Sequence, residues 1–314
     1  MKKFIISFLF ISFGLYALDR AGGEVMSWVS LNTHNSSAPK MRYFVYEPKD
    51  DIVFMGTSRC NNHYVSSIIE DSLGMSVYNG GITASGNIYS HYILLNLMDT
   101  KFCPVTRTKP QVICLDVWEQ DIVPDYSRTS FNSISFFAPY FGLNNNADSV
   151  YMLNGTYKMY KLSHLYKYNA KAVQNIAGLF INVETSSDKG YTPIPKSHCP
   201  PKKLCYNKSQ KLKDDNRLEY LGKFIQKCNK DGINLIFVIS PMYQKVDADY
   251  YDVLKDFASE NNVPVLDYHS TGLFWDHPEY FSGDKHLIDI GARKYSSIVA
   301  HDLKQLLCTY NLCQ

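Results

Sequence analysis

Two side chains with the makings of acyl chemistry stand far apart in this chain. Ser58 follows Asp51-Ile52-Val53-Phe54-Met55-Gly56-Thr57, a short apolar run closed by polar residues, and leads through Arg59-Cys60-Asn61-Asn62 into a helix-like pattern. His286 stands in Phe281-Ser282-Gly283-Asp284-Lys285-His286-Leu287, ahead of the last helical pattern, with Asp284 two residues before it. A hydroxyl is a weak nucleophile until a base within about 3 Å takes its proton. The base needs a carboxylate to fix its tautomer and stabilise the imidazolium. An acyl oxygen that becomes an anion needs N–H donors. Ser58, His286 and Asp284 are therefore candidates for nucleophile, base and acid. Taken singly, each also has a structural reading, Ser58 as a helix cap and His286 as a capping or salt-bridged surface residue.

For these residues to meet, the chain must bring both to one edge. The run 51–55 reads as a strand buried on both faces, as in a parallel sheet. A serine just past the carboxyl end of such a strand sits where open α/β sheets place ligands. The helix that follows aims N–H groups at the same point. Val65, Ile68, Ile69 and Leu73 then fall at helical spacing and Gly74 is a stop. Met75–Tyr78 is a second predicted strand, ending in Asn79-Gly80-Gly81, where Gly81 lets backbone approach a ligand closely and suits an oxyanion donor. A helix over 87–98 and a third strand, Gln111–Val117, follow. The rhythm resumes at Lys213 with a helix closed by Asp231-Gly232, a strand Ile233–Ile239, a helix near 247–261, a strand Val263–Asp267, a loop over 270–285 and a last helix. Strands alternating with helices predict a parallel sheet covered on both sides.

Residues 122–210 break this pattern. They hold Phe136, Phe137, Tyr140, Phe141, Tyr151, Tyr157, Tyr160, Tyr166 and Tyr168, and read as an insertion on the carboxyl edge, helical over 157–183, whose rings shape a cleft or pack together. Residues 21–50 read as a lead-in, with a short strand over Met41–Tyr46. Met1-Lys2-Lys3 before the apolar run Phe4–Leu18 is the layout of an export signal; the run is short of the roughly 20 residues of a membrane span, and a small-x-small cleavage site is poor. Residues 1–20 are thus a signal peptide or a membrane anchor, and the rest is expected outside the cytoplasm, in the cell envelope. The eight cysteines agree: Cys199 and Cys205, and Cys308 and Cys313, each flank a short loop and are expected as disulfides. Cys60 and Cys114 read as core thiols. Zinc spacing is absent, so no metal or cofactor is expected. With 314 residues, 45% of them hydrophobic, the chain can bury a substantial core, and a net charge of +2 gives no electrostatic case for nucleic acid.

Gly56-Thr57-Ser58-Arg59, then Asn79-Gly80-Gly81, then Asp284-Lys285-His286-Leu287 with Gly291-Ala292, resemble the ordered sequence blocks of the SGNH (GDSL-like) hydrolase superfamily. The chain resembles its cell-envelope branch, which includes polysaccharide esterases and O-acyltransferases. The likeness covers roughly 51–121 and 213–307 and leaves out the insertion. It implies an α/β fold of the three-layer α/β/α flavodoxin-like kind, residues 51–314 forming one domain around a central parallel five-stranded sheet. It implies Ser58 as nucleophile, His286 as base, and the N–H groups of Ser58 and Gly81 as oxyanion donors. Two positions depart from the pattern. The family places the acid three residues before the histidine, where this chain has Gly283; Asp284 could still reach the ring, Asp276 could substitute, or serine and histidine could act as a dyad. The third block usually gives an Asn to the oxyanion hole, and the matching place reads Trp118-Glu119-Gln120-Asp121. Gln120 can donate through its amide, with Asn61 and Asn62 as alternatives; losing one such donor costs about 10²–10³ in rate. Arg59, Asn61 and His63 are candidate substrate-binding residues, Arg59 through a substrate oxygen or carboxylate or else in a structural ion pair. The expected substrate is an acylated carbohydrate or other small acylated molecule. The expected activity is ester hydrolysis of an acyl group such as acetyl, with O-acyl transfer by the same residues, or glycan binding without catalysis, as the other readings.

Overall fold

The computed structural model describes residues 1–34, 37–83, 85–100, 109–122, 134–169, 171–181, 188–197, 201, 215–243 and 249–312. Five parallel strands form its centre: β1 (Ile52–Met55), β2 (Val77–Asn79), β3 (Val112–Asp116), β4 (Asn234–Ile239) and β5 (Val265–Asp267), in the order β2-β1-β3-β4-β5. The register sets Ile52 beside Val77 and Val112, and Val112 beside Asn234. Alternate residues of each strand go to opposite faces. Val53, Met55, Ile113, Leu115, Phe237 and Ile239 enter one core, and Ile52, Phe54, Val112, Cys114, Ile236 and Val238 the other. Both faces are covered, which is why these strands read as unbroken apolar runs.

The first core is closed by α2 (Ala38–Tyr46), α5 (Ile88–Leu97), α9 (Asp215–Asp231) and α10 (Asp249–Glu260). The second is closed by α3 (Ser58–His63), α4 (Ser66–Leu73) and α11 (Asp289–Thr309). The architecture is α/β in three layers, as the strand and helix alternation predicts. Gly74 and Gly232 end α4 and α9 with φ of 68° and 70°, a conformation that costs glycine little.

Three parts differ from the sequence pattern. Residues 41–46 belong to helix α2 and form no strand: Pro39 sits in its first turn, and Met41, Phe44 and Val45 meet the core at helical spacing, which outweighs the strand preference of a Tyr-Phe-Val-Tyr run. The lead-in is not separate from the N-terminal run, because α1 (Lys2–Asn32) is one helix through both. Within 134–181 the insertion is a chain of short pieces, among them α6 (Asn145–Ser149), α7 (Tyr157–Leu162) and α8 (Ala172–Ala177), in place of one helix. Its rings pack together: Phe141 meets Tyr151, Tyr157 and Tyr160 edge-on at 5.4–5.7 Å.

The far half of α1 docks on this insertion. The Asp19 carboxylate accepts from Ser163 Oγ (2.5 Å) and from the N–H groups of His164 (2.8 Å) and Leu165 (3.2 Å), while Met26 and Val29 bury against Tyr168. The other half, with Phe4, Phe8, Ile11, Leu15 and Leu18, is exposed, and the helix is long and apolar enough to cross a membrane. Cys60, Cys114 and Cys228 are buried free thiols. Cys199, Cys205 and Cys313 lie outside the described residues.

Candidate active site

β1 ends at the place where the chain's connections part, one toward β2 and the other toward β3, the switch point at which open α/β sheets open a crevice. The turn Gly56-Thr57 must pass close to β3. A Cβ on Gly56 would lie 2.6 Å from Cys60 Cβ and 3.1 Å from Asp116 Cβ, so only glycine lets α3 start this tightly. Ser58 is the first residue of α3 and is half-buried.

His286 reaches the same point from the other end of the chain. The loop after β5 forms a small antiparallel pair, β6 (Phe281–Ser282) with β7 (His286–Leu287), just before α11. His286 Nε2 lies 2.8 Å from Ser58 Oγ. Burial pushes the imidazole below its usual range, the Arg59 guanidinium adds to this and Asp284 opposes it, so the ring is neutral near neutral pH and can accept the hydroxyl proton.

Among the described residues no carboxylate bonds the His286 ring; Asp284 acts on it through space only. The Asp284 carbonyl accepts from the Tyr243 N–H at 3.1 Å. Asp276 is exposed, has φ of 57° and donates its N–H to the Tyr243 carbonyl. The structure thus brings Ser58 Oγ and His286 Nε2 within hydrogen-bond reach, with Asp284 acting on the ring through space and Asp276 making no hydrogen bond to it among the described residues.

What holds the dyad is visible in the residues around it. His63 is fully buried, and its Nε2 accepts from the Leu287 N–H at 3.0 Å, which ties α3 to the strand carrying His286. Burial, then Arg59 and His286, push His63 well down, so it stays neutral and able to accept. Arg59 is 2% exposed and grips the end of β4: Nε donates to Ser240 Oγ at 3.0 Å and Nη2 to Ser240 Oγ at 2.7 Å and to the Ser240 carbonyl. Both residues lie beneath the dyad, where they fix α3 to its neighbours.

The Asn79-Gly80-Gly81 turn supports α3 from the other side. Asn79 is fully buried, and its Nδ2 donates to the carbonyls of Cys60 (2.8 Å) and Tyr64 (2.9 Å). Its Oδ1 accepts from the Gly81 N–H at 3.0 Å, so that N–H is engaged within its own turn. A Cβ on Gly81 would lie 2.3 Å from Asn61 N and 2.7 Å from Cys60 C, so the turn passes directly against the α3 backbone.

Of the remaining candidates, Gln120 lies just past the end of β3, and Asn61 and Asn62 are buried on α3. Gln120 is half-buried in a single 3-10 turn, Glu119–Asp121, and its backbone carbonyl accepts from Arg217 Nη1. Lys285 Nζ lies 5.2 Å from the Trp118 ring centre, so the end of β3 and the His286 hairpin are neighbours. Asn62 is committed, since its Nδ2 donates to the Thr192 carbonyl at 2.7 Å. Asn61, three residues after Ser58 on α3, has its amide oxygen occupied by Thr192 Oγ1 (3.3 Å) and by Lys40 Nζ (2.5 Å). Lys40 is a residue the sequence pattern does not point to. It sits within α2 and carries no motif.

No family model and no curated protein matches this chain. Among solved structures it is similar to a proposed acylhydrolase from Bacteroides fragilis, at 14% identity over 89% of this chain and 98% of that one with a TM-score of 0.41. It is also similar to an acetyl xylan esterase, at 15% identity over 80% of this chain and 96% of that one with a TM-score of 0.37. The chemistry of the site rests on the geometry above.

Proposed function

We propose that the protein is a serine esterase of the SGNH type that removes an acyl group, such as acetyl, from an envelope or extracellular carbohydrate. The observation that supports this is the 2.8 Å contact between Ser58 Oγ and His286 Nε2 at the switch point of a parallel sheet. In this reading Ser58 Oγ attacks the acyl carbonyl as its proton passes to His286 Nε2. The imidazolium then gives that proton to the departing sugar oxygen, leaving an acyl-serine. Water attacks the acyl-serine with His286 again as base, and both residues return to their starting state. The developing oxyanion is met by the Ser58 N–H and by the Asn61 amide. The α1 helix holds the enzyme at the membrane, with residues 51–314 outside the cytoplasm.

The test is turnover of p-nitrophenyl acetate and of acetylated oligosaccharides by the full chain in detergent, beside Ser58→Ala. The wild type is expected to release acetate, and Ser58→Ala to fall by at least about 10³-fold. Equal rates would remove the proposal. Added sugar acceptors separate water from a sugar hydroxyl as the second acceptor: acetylated acceptor in place of acetate would reassign the enzyme as a transferase.

A further inference from the structure

Lys40 is 6% exposed, and among the described residues no carboxylate reaches it. Its ammonium donates instead to two neutral oxygens, the Asn61 amide oxygen at 2.5 Å and the Gly81 carbonyl. A buried ammonium without a counter-ion is costly. A fold that keeps one gains something from it elsewhere, and both acceptors here belong to the segments that build the active site.

We infer that Lys40 is a positioning residue of the acyl-transfer site, fixing the Asn61 amide so that its NH₂ serves as the oxyanion donor that the end of β3 does not supply. This rests on the esterase reading above. An amide has its oxygen and nitrogen on opposite sides, so holding one determines where the other points. The Asn61 oxygen is held twice, by Lys40 and by Thr192 Oγ1, and its Nδ2 donates to no group among the described residues. Ser58 and Asn61 are three apart on α3 and so lie on one helix face. A cation on the carbonyl side also polarises the amide and strengthens its N–H groups as donors. Lys40 touches no reacting atom in this scheme; it acts through Asn61.

Burial pushes the Lys40 ammonium down to about 7. The ionisable group acting on it is the Cys60 thiol of α3, which burial holds well above its usual range and hence neutral. The charged form is the working one, so rate falls as pH rises through about 7. His286 works neutral, so rate rises with pH through its lowered range. Together they predict a bell-shaped profile with a narrow top.

The experiment is the pH dependence of kcat and KM for p-nitrophenyl acetate, from about pH 5 to about pH 9, with wild type, Lys40→Met, Asn61→Ala and the double variant. Wild type should show an alkaline limb in kcat near neutrality. Lys40→Met should lose that limb and lower kcat by about 10–10²-fold with KM little changed, and Asn61→Ala should lower kcat by about 10²–10³-fold. The double variant should be no worse than Asn61→Ala, because the lysine acts through the asparagine. A wild-type profile that stays flat above neutrality, or a double variant whose loss is the product of the single losses, would overturn the inference. The wild-type limb is read without any variant, so a Lys40→Met chain that fails to fold leaves the test standing. An inactive wild type whose Ser58 also resists an organophosphonate would instead remove the esterase reading itself, and the role of Lys40 with it.

Discussion

Replacing Lys40 by Met should change how stability depends on pH, and the size follows from the site. The ammonium is displaced from 10.5 to about 7 in the folded protein. At about 1.4 kcal/mol for each pH unit, that is about 5 kcal/mol at most. Below about pH 7 the folded and unfolded chains both hold the proton, and the folded chain carries the full cost of burying it. Between about 7 and about 10.5 the unfolded chain still binds a proton that the folded chain has released, so stability rises with pH across that window. Lys40→Met has no such rise. It also leaves the Gly81 carbonyl without its donor, at about 1–3 kcal/mol, and the Asn61 amide oxygen with Thr192 Oγ1 as its remaining donor. That loss does not vary with pH and drops out of the slope. The buried tyrosines, such as Tyr64 and Tyr295, contribute their own pH dependence, but equally to both proteins. Urea unfolding of the full chain in detergent, repeated at intervals across the window, should show the wild type gaining several kcal/mol on Lys40→Met. Parallel curves, within about 0.5 kcal/mol throughout, would refute a buried, unpaired lysine at this position.

Other consequences are as specific. Gly81→Ala places a Cβ 2.3 Å from the Asn61 nitrogen, and the obstacle is backbone. It should cost about 1–3 kcal/mol or more and lower kcat at least about tenfold, because α3 carries Ser58; unchanged unfolding and kcat would show that the turn has room. Asp284→Asn removes a charge that holds the His286 ring up, so the acid limb of kcat/KM should move to lower pH while kcat stays within about tenfold. A fall of about 10⁴, the scale seen when the acid of a true triad is neutralised, would mean that Asp284 bonds the ring during turnover. With α1 intact the protein should stay with membranes after carbonate washing, and removal of residues 2–18 should release it; release of the intact chain would place α1 elsewhere.

Much of the fold was legible because burial on both faces leaves a plain mark. The apolar runs that became β1, β3 and β4 are continuous, and the stops at Gly74 and Gly232 fall where the left-handed φ demands glycine. Strand and helix were confused only over 41–46, where aromatic and β-branched residues favour a strand locally and packing against α5 decides for a helix. At the site, a serine at a strand end and a histidine before a helix could be paired from their types and order. Their neighbours could not. Arg59 and His63 read as pocket residues because both follow Ser58 closely, yet a six-residue helix has little outward face, and their side chains are drawn under it by Ser240 and the Leu287 N–H. Lys40 left no trace in the pattern at all. Its partners are 21 and 41 residues away, and a single lysine in a helix is ordinarily a solvent-facing residue.

Acyl transfer at this site requires Ser58 to be a nucleophile activated by His286. Intact-mass analysis after treatment with a fluorophosphonate measures that pairing without assuming any substrate. The wild type should gain one adduct, mapped by peptide mass to Ser58; Ser58→Ala should gain none, and His286→Ala should react at least about 10²-fold more slowly. An unmodified but folded wild type, or an adduct that persists in Ser58→Ala, would contradict it.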